Sequence, residues 1–238
     1  MLSDACGPII GRVSAISVQR VKGAAPVRVD EARLVEGLGI DGDAHADDLS
    51  LRQVLIADAA AYAELGLPAH ALRENLLFTF EPSTLASGTL LRVGGEALVW
   101  LTFRCEACGE LNKHRAGLSK AIGQRRGMLA RVARGGTVRE GDAVVDLGRR
   151  LAAWSDDWRE RVRTVLSAVP PGLVVEYSQL ARLAGVSTGY CRAFPPVIRG
   201  FGAACAEKAV PRQAIAGRER WDGAGLFDDQ YQSAATLG

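Results

Sequence analysis

Hydrophobic and polar positions follow two different rhythms along the chain, and the change falls near residues 148–155. Before it, short apolar runs at residues 11–18, 26–29, 90–93, 97–103 and 143–147 are broken by glycine and aspartate. Runs of this length between turn residues predict strands, and several in one segment predict a β-rich barrel or sandwich. Within residues 50–65 the apolar positions Val54, Leu55, Ala59, Tyr62 and Leu65 recur at spacings of one, three and four, which predicts an amphipathic helix stopped by Gly66. A second helix is predicted from about residue 112 to 122, ending at Gly123.

After Gly148-Arg149-Arg150 the helical rhythm takes over. Residues 158–168 have a helical pattern, Pro170-Pro171-Gly172 interrupts it, and Tyr177-Ser178-Gln179-Leu180-Ala181-Arg182-Leu183 resumes it. Ala184-Gly185-Val186-Ser187 follows, with Ser187 placed to cap another helical segment near Thr188, which is the order of a helix-turn-helix. Two domains are therefore expected, residues 1–150 and 151–238: a β-barrel with a few helices, then a small α-helical, winged helix-turn-helix-like unit.

Composition narrows the class. At 238 residues, with 48% hydrophobic and 24% charged positions, the chain matches ordinary globular proteins and can bury a sizeable core. No stretch approaches the roughly 20 uninterrupted apolar residues of a membrane helix, and Met1-Leu2-Ser3-Asp4-Ala5-Cys6 lacks the order of a secretory signal, so a cytoplasmic protein without a membrane partner is expected. Five cysteines, an odd number, do not form the dense framework of a secreted disulfide scaffold. A net charge of +2 is too small to indicate nucleic acid by itself. Local clustering changes that picture, because residues 182–220 hold seven basic side chains against two acidic ones.

The most pointed chemistry in the first half is Cys105-Glu106-Ala107-Cys108, directly after the apolar run at 97–103. Two thiols so spaced can share a metal, form a disulfide, carry a persulfide, or sit as small buried hydrophobes. A structural zinc site would want two further ligands, and only His114 follows at close range. Asp41 and Asp43 around Gly42, with His45 behind, are explained equally by a loop of aspartate-to-backbone hydrogen bonds. Glu74 and Asn75 precede an apolar run, where Asn75 would also serve as a turn or cap residue. Arg52 and Arg131 are candidates for a phosphate, since guanidinium offers it a bidentate fork.

The blocks Gly39-Ile40-Asp41-Gly42-Asp43-Ala44-His45, Arg52-Gln53-Val54, Glu74-Asn75-Leu76, Cys105-Glu106-Ala107-Cys108, Gly127-Met128-Leu129-Ala130-Arg131-Val132 and Gly136-Thr137-Val138-Arg139-Glu140-Gly141-Asp142 resemble, in order, the MOSC family. The resemblance implies a β-barrel handling sulfur or the molybdenum cofactor, with molybdenum-ion and pyridoxal phosphate binding among the family's associations. It places the family's signature cysteine at Cys108, as molybdenum ligand or persulfide carrier, with Cys105 as an extra, resolving thiol. It implies Arg52, Asp43, His45, Glu74, Asn75 and Arg131 as the cofactor-binding set, and a cysteine desulfurase as a partner of a sulfur carrier.

In the second half, Val169-Pro170-Pro171-Gly172, Tyr177-Ser178-Gln179-Leu180-Ala181, Gly185 and Cys191-Arg192-Ala193 resemble the DNA-binding domain of O6-alkylguanine-DNA alkyltransferases and alkyltransferase-like proteins. The resemblance covers about residues 158–217 and implies that Tyr177 contacts a phosphate and Arg192 replaces a flipped base, with Arg199 and Arg212 in the same basic stripe. The family's Pro-Cys-His-Arg is here Pro211-Arg212-Gln213-Ala214, which has neither nucleophile nor base for alkyl transfer. Pro195-Pro196 predicts a helix that breaks and restarts. The combined expectation is a sulfur or molybdenum protein that acts on or senses N-hydroxylated or alkylated bases. The alternatives are a non-catalytic lesion sensor that recruits repair proteins, and a sulfur carrier with no DNA role.

Overall fold

The structure, a computed structural model, describes residues 7–214 and 217–228. Cys6, and Ile215 and Ala216 after the tetrapeptide, lie outside the described residues. The described chain divides into a barrel unit, residues 7–48 and 52–154, and a helical unit, residues 49–51 and 155–228.

In the barrel unit, β1 (Ile9–Val18), β2 (Val27–Val29), β3 (Glu31–Val35), β4 (Gly39–Ile40) and β5 (Val54–Asp58) lead into α1 (Ala59–Leu65). Then come β6 (Leu76–Phe78), β7 (Thr89–Val93), β8 (Ala97–Arg104), α2 (Leu118–Ile122), β9 (Met128–Arg134), β10 (Gly136–Arg139) and β11 (Ala143–Arg149). The large sheet runs β11-β7-β8-β9-β5-β6-β1, with β2 added on β1, and pairing of β11 with β1 closes it. Closure pairs edge strands that would otherwise be open to other chains. All of its pairs are antiparallel except β5 with β6. Strands β10, β3 and β4 form a smaller sheet.

Residues 50–65 do not form one helix. Val54–Asp58 is a strand buried throughout, and only Ala59–Leu65 is helical, with Asp58 as N-cap and Gly66 as left-handed stop. The physical reason is burial on both faces. Val54 and Ile56 enter the barrel core, while Ala57 joins a second apolar cluster with Leu72, Leu111, Leu118 and Ile122. A strand covered on both sides loses its alternation and is hard to tell from a buried helix by pattern. The helix expected over 112–122 is likewise shorter: Gly109–Lys113 is a 3-10 turn and the α-helix is Leu118–Ile122, before Gly123.

In the helical unit, α3 (Trp158–Ala168) is capped by Asp157 and buries Val162, Val165 and Leu166. Its C-terminal carbonyls of Leu166 and Val169 accept from Lys208 Nζ. Strand β12 (Val175–Glu176) pairs in parallel with β13 (Ala209–Val210), and α4 (Tyr177–Leu183) follows β12 directly. After Gly185 in the left-handed conformation, Ser187 accepts from the Gly189 amide and opens a 3-10 segment, Thr188–Ala193. Helix α5 (Phe194–Gly200) then begins with both prolines in its first turn, where a missing N–H costs no hydrogen bond, and α6 (Ala203–Ala206) follows. The break and restart expected at Pro195-Pro196 is therefore present, with a 3-10 segment before the prolines and an α-helix that starts at them.

Candidate functional site

A pocket of about 180 Å³ opens in the barrel unit beside the β5–β9 pair, lined by His45, Arg52, Arg73, Asn75, Cys105 and Arg126 over the apolar side chains of Leu55 and Leu129. Leu55 and Leu129 are register partners, and their neighbours Val54, Ile56, Met128 and Ala130 face the core, so the pocket sits on the outer side of that pair. Four expected site residues thus come together: Arg52, His45, Asn75 and Cys105.

Cys105 follows β8 at a point where the β8–β9 register shifts between Leu101 and Arg104. Such a shift re-aims side chains. The Cys105 amide donates to Gly127 O at 2.8 Å, and its side chain is in the wall, with the residue 6% exposed. Gly127 has φ +117°, and a Cβ there would lie 2.4 Å from the Ile56 carbonyl oxygen, so glycine alone permits β9 to start this close to β5. Cys108, the thiol the resemblance favoured, is exposed, precedes the 3-10 turn Gly109–Lys113, and is not among the lining residues.

Asp43 does not line the pocket; it organises it. Its carboxylate accepts from the Gln19 amide and Asn75 Nδ2 on one oxygen, and from the amide and Nδ1 of His45 on the other, at 2.8 to 3.0 Å. Burial works to raise its pKa, yet the hydrogen bonds from His45 and Gln19 outweigh it and hold Asp43 below its ordinary value. Because that carboxylate only accepts, Nδ1 of His45 carries the proton, which leaves Nε2 as the acceptor nitrogen. The Asn75 amide is fully used, accepting from the Leu55 amide and donating to Ser17 O and Asp43. It fixes the floor of the pocket and has no hydrogen to spare for a cofactor.

Glu74 and Arg131 are not among the lining residues. Glu74 is buried, accepts from the Tyr62 hydroxyl, and is pushed upward in pKa by burial. Arg131, 1% exposed, donates to the backbone carbonyl of Asp48 and spans strand to loop.

Two arginines that the sequence did not single out complete the wall. Arg73 sits at φ +54°, close to His70 at φ +59°, an uncommon conformation for side-chain-bearing residues, and its guanidinium donates to Gln19 Oε1 and Ala24 O. Arg126 ends the 3-10 turn Gly123–Arg126 just before Gly127. It is 7% exposed, and its Nε and Nη1 have no hydrogen-bond partner. The sequence signal was the Arg125-Arg126-Gly127 junction opening a quoted block, but Arg125 is spent on Asp58 and Glu64. Nothing in the sequence distinguishes the two.

In the helical unit Arg192, Arg199 and Arg212 are exposed. Tyr177 is half-buried, edge-on to Phe194 at 5.8 Å, with its pKa raised by burial against the opposing charge of Arg199. Cys191 donates toward Tyr177 O. Among the described residues no group of three or more His, Cys, Asp or Glu is placed to hold a metal ion, and no helix is long and apolar enough to cross a membrane.

Residues 45–145 match the family model of the MOSC domain. No curated protein matches the sequence. Among solved structures, the YUAD protein from Bacillus subtilis is similar at 16% identity and TM-score 0.50 over 56% of this chain and 93% of its own. A hypothetical protein is similar at 22% identity and TM-score 0.50 over 86% of this chain and 95% of its own. YiiM from Geobacillus stearothermophilus aligns at 14% identity and TM-score 0.49 over 96% of this chain and all of its own. With the closed sheet, the match supports a β-barrel MOSC-like domain carrying a few helices.

Proposed function

We propose that the MOSC-like barrel is a sulfur- or molybdenum-handling unit whose reactive group is the Cys105 thiol. One observation carries this reading: a buried thiol and a buried guanidinium with two unpartnered nitrogens, Nε and Nη1, line the same pocket. A thiolate there is a soft nucleophile and a soft ligand, and His45 Nε2, oriented through Asp43, is the base that holds the thiol's proton. MOSC domains in general are associated with the molybdenum cofactor. The residues present fit such a group, Cys105 for the metal and Arg126, with Arg52 and Arg73, for an anionic end. When bound, it would supply two-electron redox chemistry at the thiol end of the pocket.

The test uses protein from a cofactor-competent host, with and without a cysteine desulfurase and cysteine. Molybdenum and pterin content, and a one-sulfur adduct located by mass spectrometry, are measured for wild type, Cys105→Ser and Cys108→Ser. The expected result is an adduct or stoichiometric molybdenum that Cys105→Ser abolishes. Wild type with neither, or an adduct confined to Cys108, sinks the assignment.

For the helical unit we infer a DNA-facing surface, with modified bases as its targets. The observation that favours it is that Arg192 and Arg199, on consecutive segments after the capped turn, are both exposed while Phe194 between them is core. Alkyl transfer is not part of the reading, because Arg212 and Gln213 supply no nucleophile. Mobility-shift titration on lesion-bearing and plain duplex should show binding that weakens with salt and falls in Arg192→Ala and Tyr177→Phe. Equal, salt-insensitive binding by all three proteins would refute it.

A further inference from the structure

We propose that the barrel pocket accepts a thiosulfonate-type sulfur donor, thiosulfate in its simplest form, with Cys105 taking the outer sulfur and Arg126 holding the sulfite end. The inference rests on the sulfur-handling reading of the same pocket and names the donor.

The pocket itself narrows the guest. At about 180 Å³ it is smaller than the roughly 300 to 1,000 Å³ of sites that enclose drug-sized ligands, so the guest is a small molecule or the end of a larger one. Three guanidinium groups and no carboxylate line it, so the guest is an anion. Arg73 already donates to Gln19 and Ala24. Arg126 is different, since a guanidinium more than nine-tenths buried with bare Nε and Nη1 is costly until an acceptor arrives. Glu74, the carboxylate whose charge reaches Arg126, is engaged by the Tyr62 hydroxyl, and no hydrogen bond joins it to the bare nitrogens.

Cys105 in the same wall decides the anion's chemistry. A phosphate or sulfate would satisfy Arg126 and leave the thiol unused, and an uncharged electrophile would use the thiol and leave Arg126 bare. An anion that joins an electrophilic sulfur to a sulfonate uses both. The Cys105 thiolate attacks the outer sulfur of thiosulfate, a new S–S bond forms at Cys105, and the old S–S bond breaks with its electron pair leaving on sulfite. The charge of −3 is conserved, one persulfide and one sulfite appear per thiosulfate, and no outside oxidant or reductant is consumed. The thiol proton goes to His45 Nε2 before attack.

The experiment incubates the full chain with thiosulfate and, separately, with inorganic polysulfide, which carries transferable sulfur but no sulfonate. Sulfite release with cyanide as final acceptor is followed, together with the adduct on Cys105. Wild type is expected to load from both donors, Cys105→Ser from neither. Arg126→Gln is expected to lose far more of its rate with thiosulfate, on the order of tenfold to a hundredfold, than with polysulfide, which has no sulfonate for the charge-assisted pair of hydrogen bonds. Sulfate should raise the KM for thiosulfate in wild type, a readout that needs no variant. Loading of wild type from polysulfide but not from thiosulfate overturns the inference and leaves the sulfur-handling reading standing. Loading from neither overturns both, and thiosulfate transfer that ignores sulfate and Arg126→Gln removes Arg126 from the site.

Discussion

Arg161 in the helical unit and Arg126 in the barrel unit are both almost wholly buried, 1% and 7% exposed, yet they are treated in opposite ways. Arg161 spends its guanidinium on the backbone, donating to Ala184 O, Ser155 O and Asp156 O, and so ties the start of α3 to the turn after α4. Arg126 keeps two donors bare beside a thiol. A buried charge with every partner in place is architecture. One held without partners is a cost to the fold that only a ligand relieves.

Substitutions should separate the two cases, beginning with the most damaging. Arg161→Leu strips the carbonyls of Ala184, Ser155 and Asp156 of their donor and is expected to cost about 3 kcal/mol, read as lost hydrogen-exchange protection in α3 and α4. Unchanged protection would mean that water replaces the guanidinium. Asp43→Asn leaves an amide where four donors converge, so it should cost about 2 kcal/mol and slow sulfur acceptance by misplacing His45. Its pH signature follows from the depressed pKa: the wild-type contribution is present above the unfolded value near 3.8 and is lost as pH falls through the lower folded value. Denaturant titrations of both proteins at pH 3 and 6 should converge at the acid end.

Glu74 has the opposite sign. Burial raises its pKa above 4.5, so its stabilising share is complete below that value and disappears as pH rises through the folded value. Glu74→Gln, which can still accept from Tyr62, should therefore be more stable than wild type at neutral pH and equal to it near pH 4. Parallel stability curves for the two proteins would contradict this. The smallest effect on stability is expected from Arg126→Leu, within about 1 kcal/mol of wild type or above it, because an unpartnered charge is exchanged for an apolar side chain. Protection of the thermal transition by sulfate or thiosulfate should vanish in the same variant, and retained protection would place the anion elsewhere.

Much of the barrel was legible, since the runs at 11–18, 90–93, 97–103 and 143–147 became strands nearly as bounded. Residues 54–58 were misread because periodicity reports a one-sided environment, and β5 has cover on both sides. In the site, His45, Arg52, Asn75 and Cys105 were found as motif residues and do converge. Asp43 was found as well, but its part is to orient two of them. Cys108 and Cys105 are indistinguishable in a Cys-x-x-Cys string. The register shift at the end of β8 is what sends one thiol into the wall and leaves the other exposed.

By itself the sequence determined the two rhythms, the strand-forming runs, the proline-split helix after Ser187 and the residue types available to the pocket. These are local properties, written in spacing, turn chemistry and residue type. Tertiary structure alone decided which strand closes the barrel, which thiol is enclosed, and that Arg126 rather than Arg125 or Arg131 keeps two buried nitrogens without an acceptor. Those outcomes depend on how many donors and acceptors converge on one point from distant parts of the chain, and that count exists only after folding.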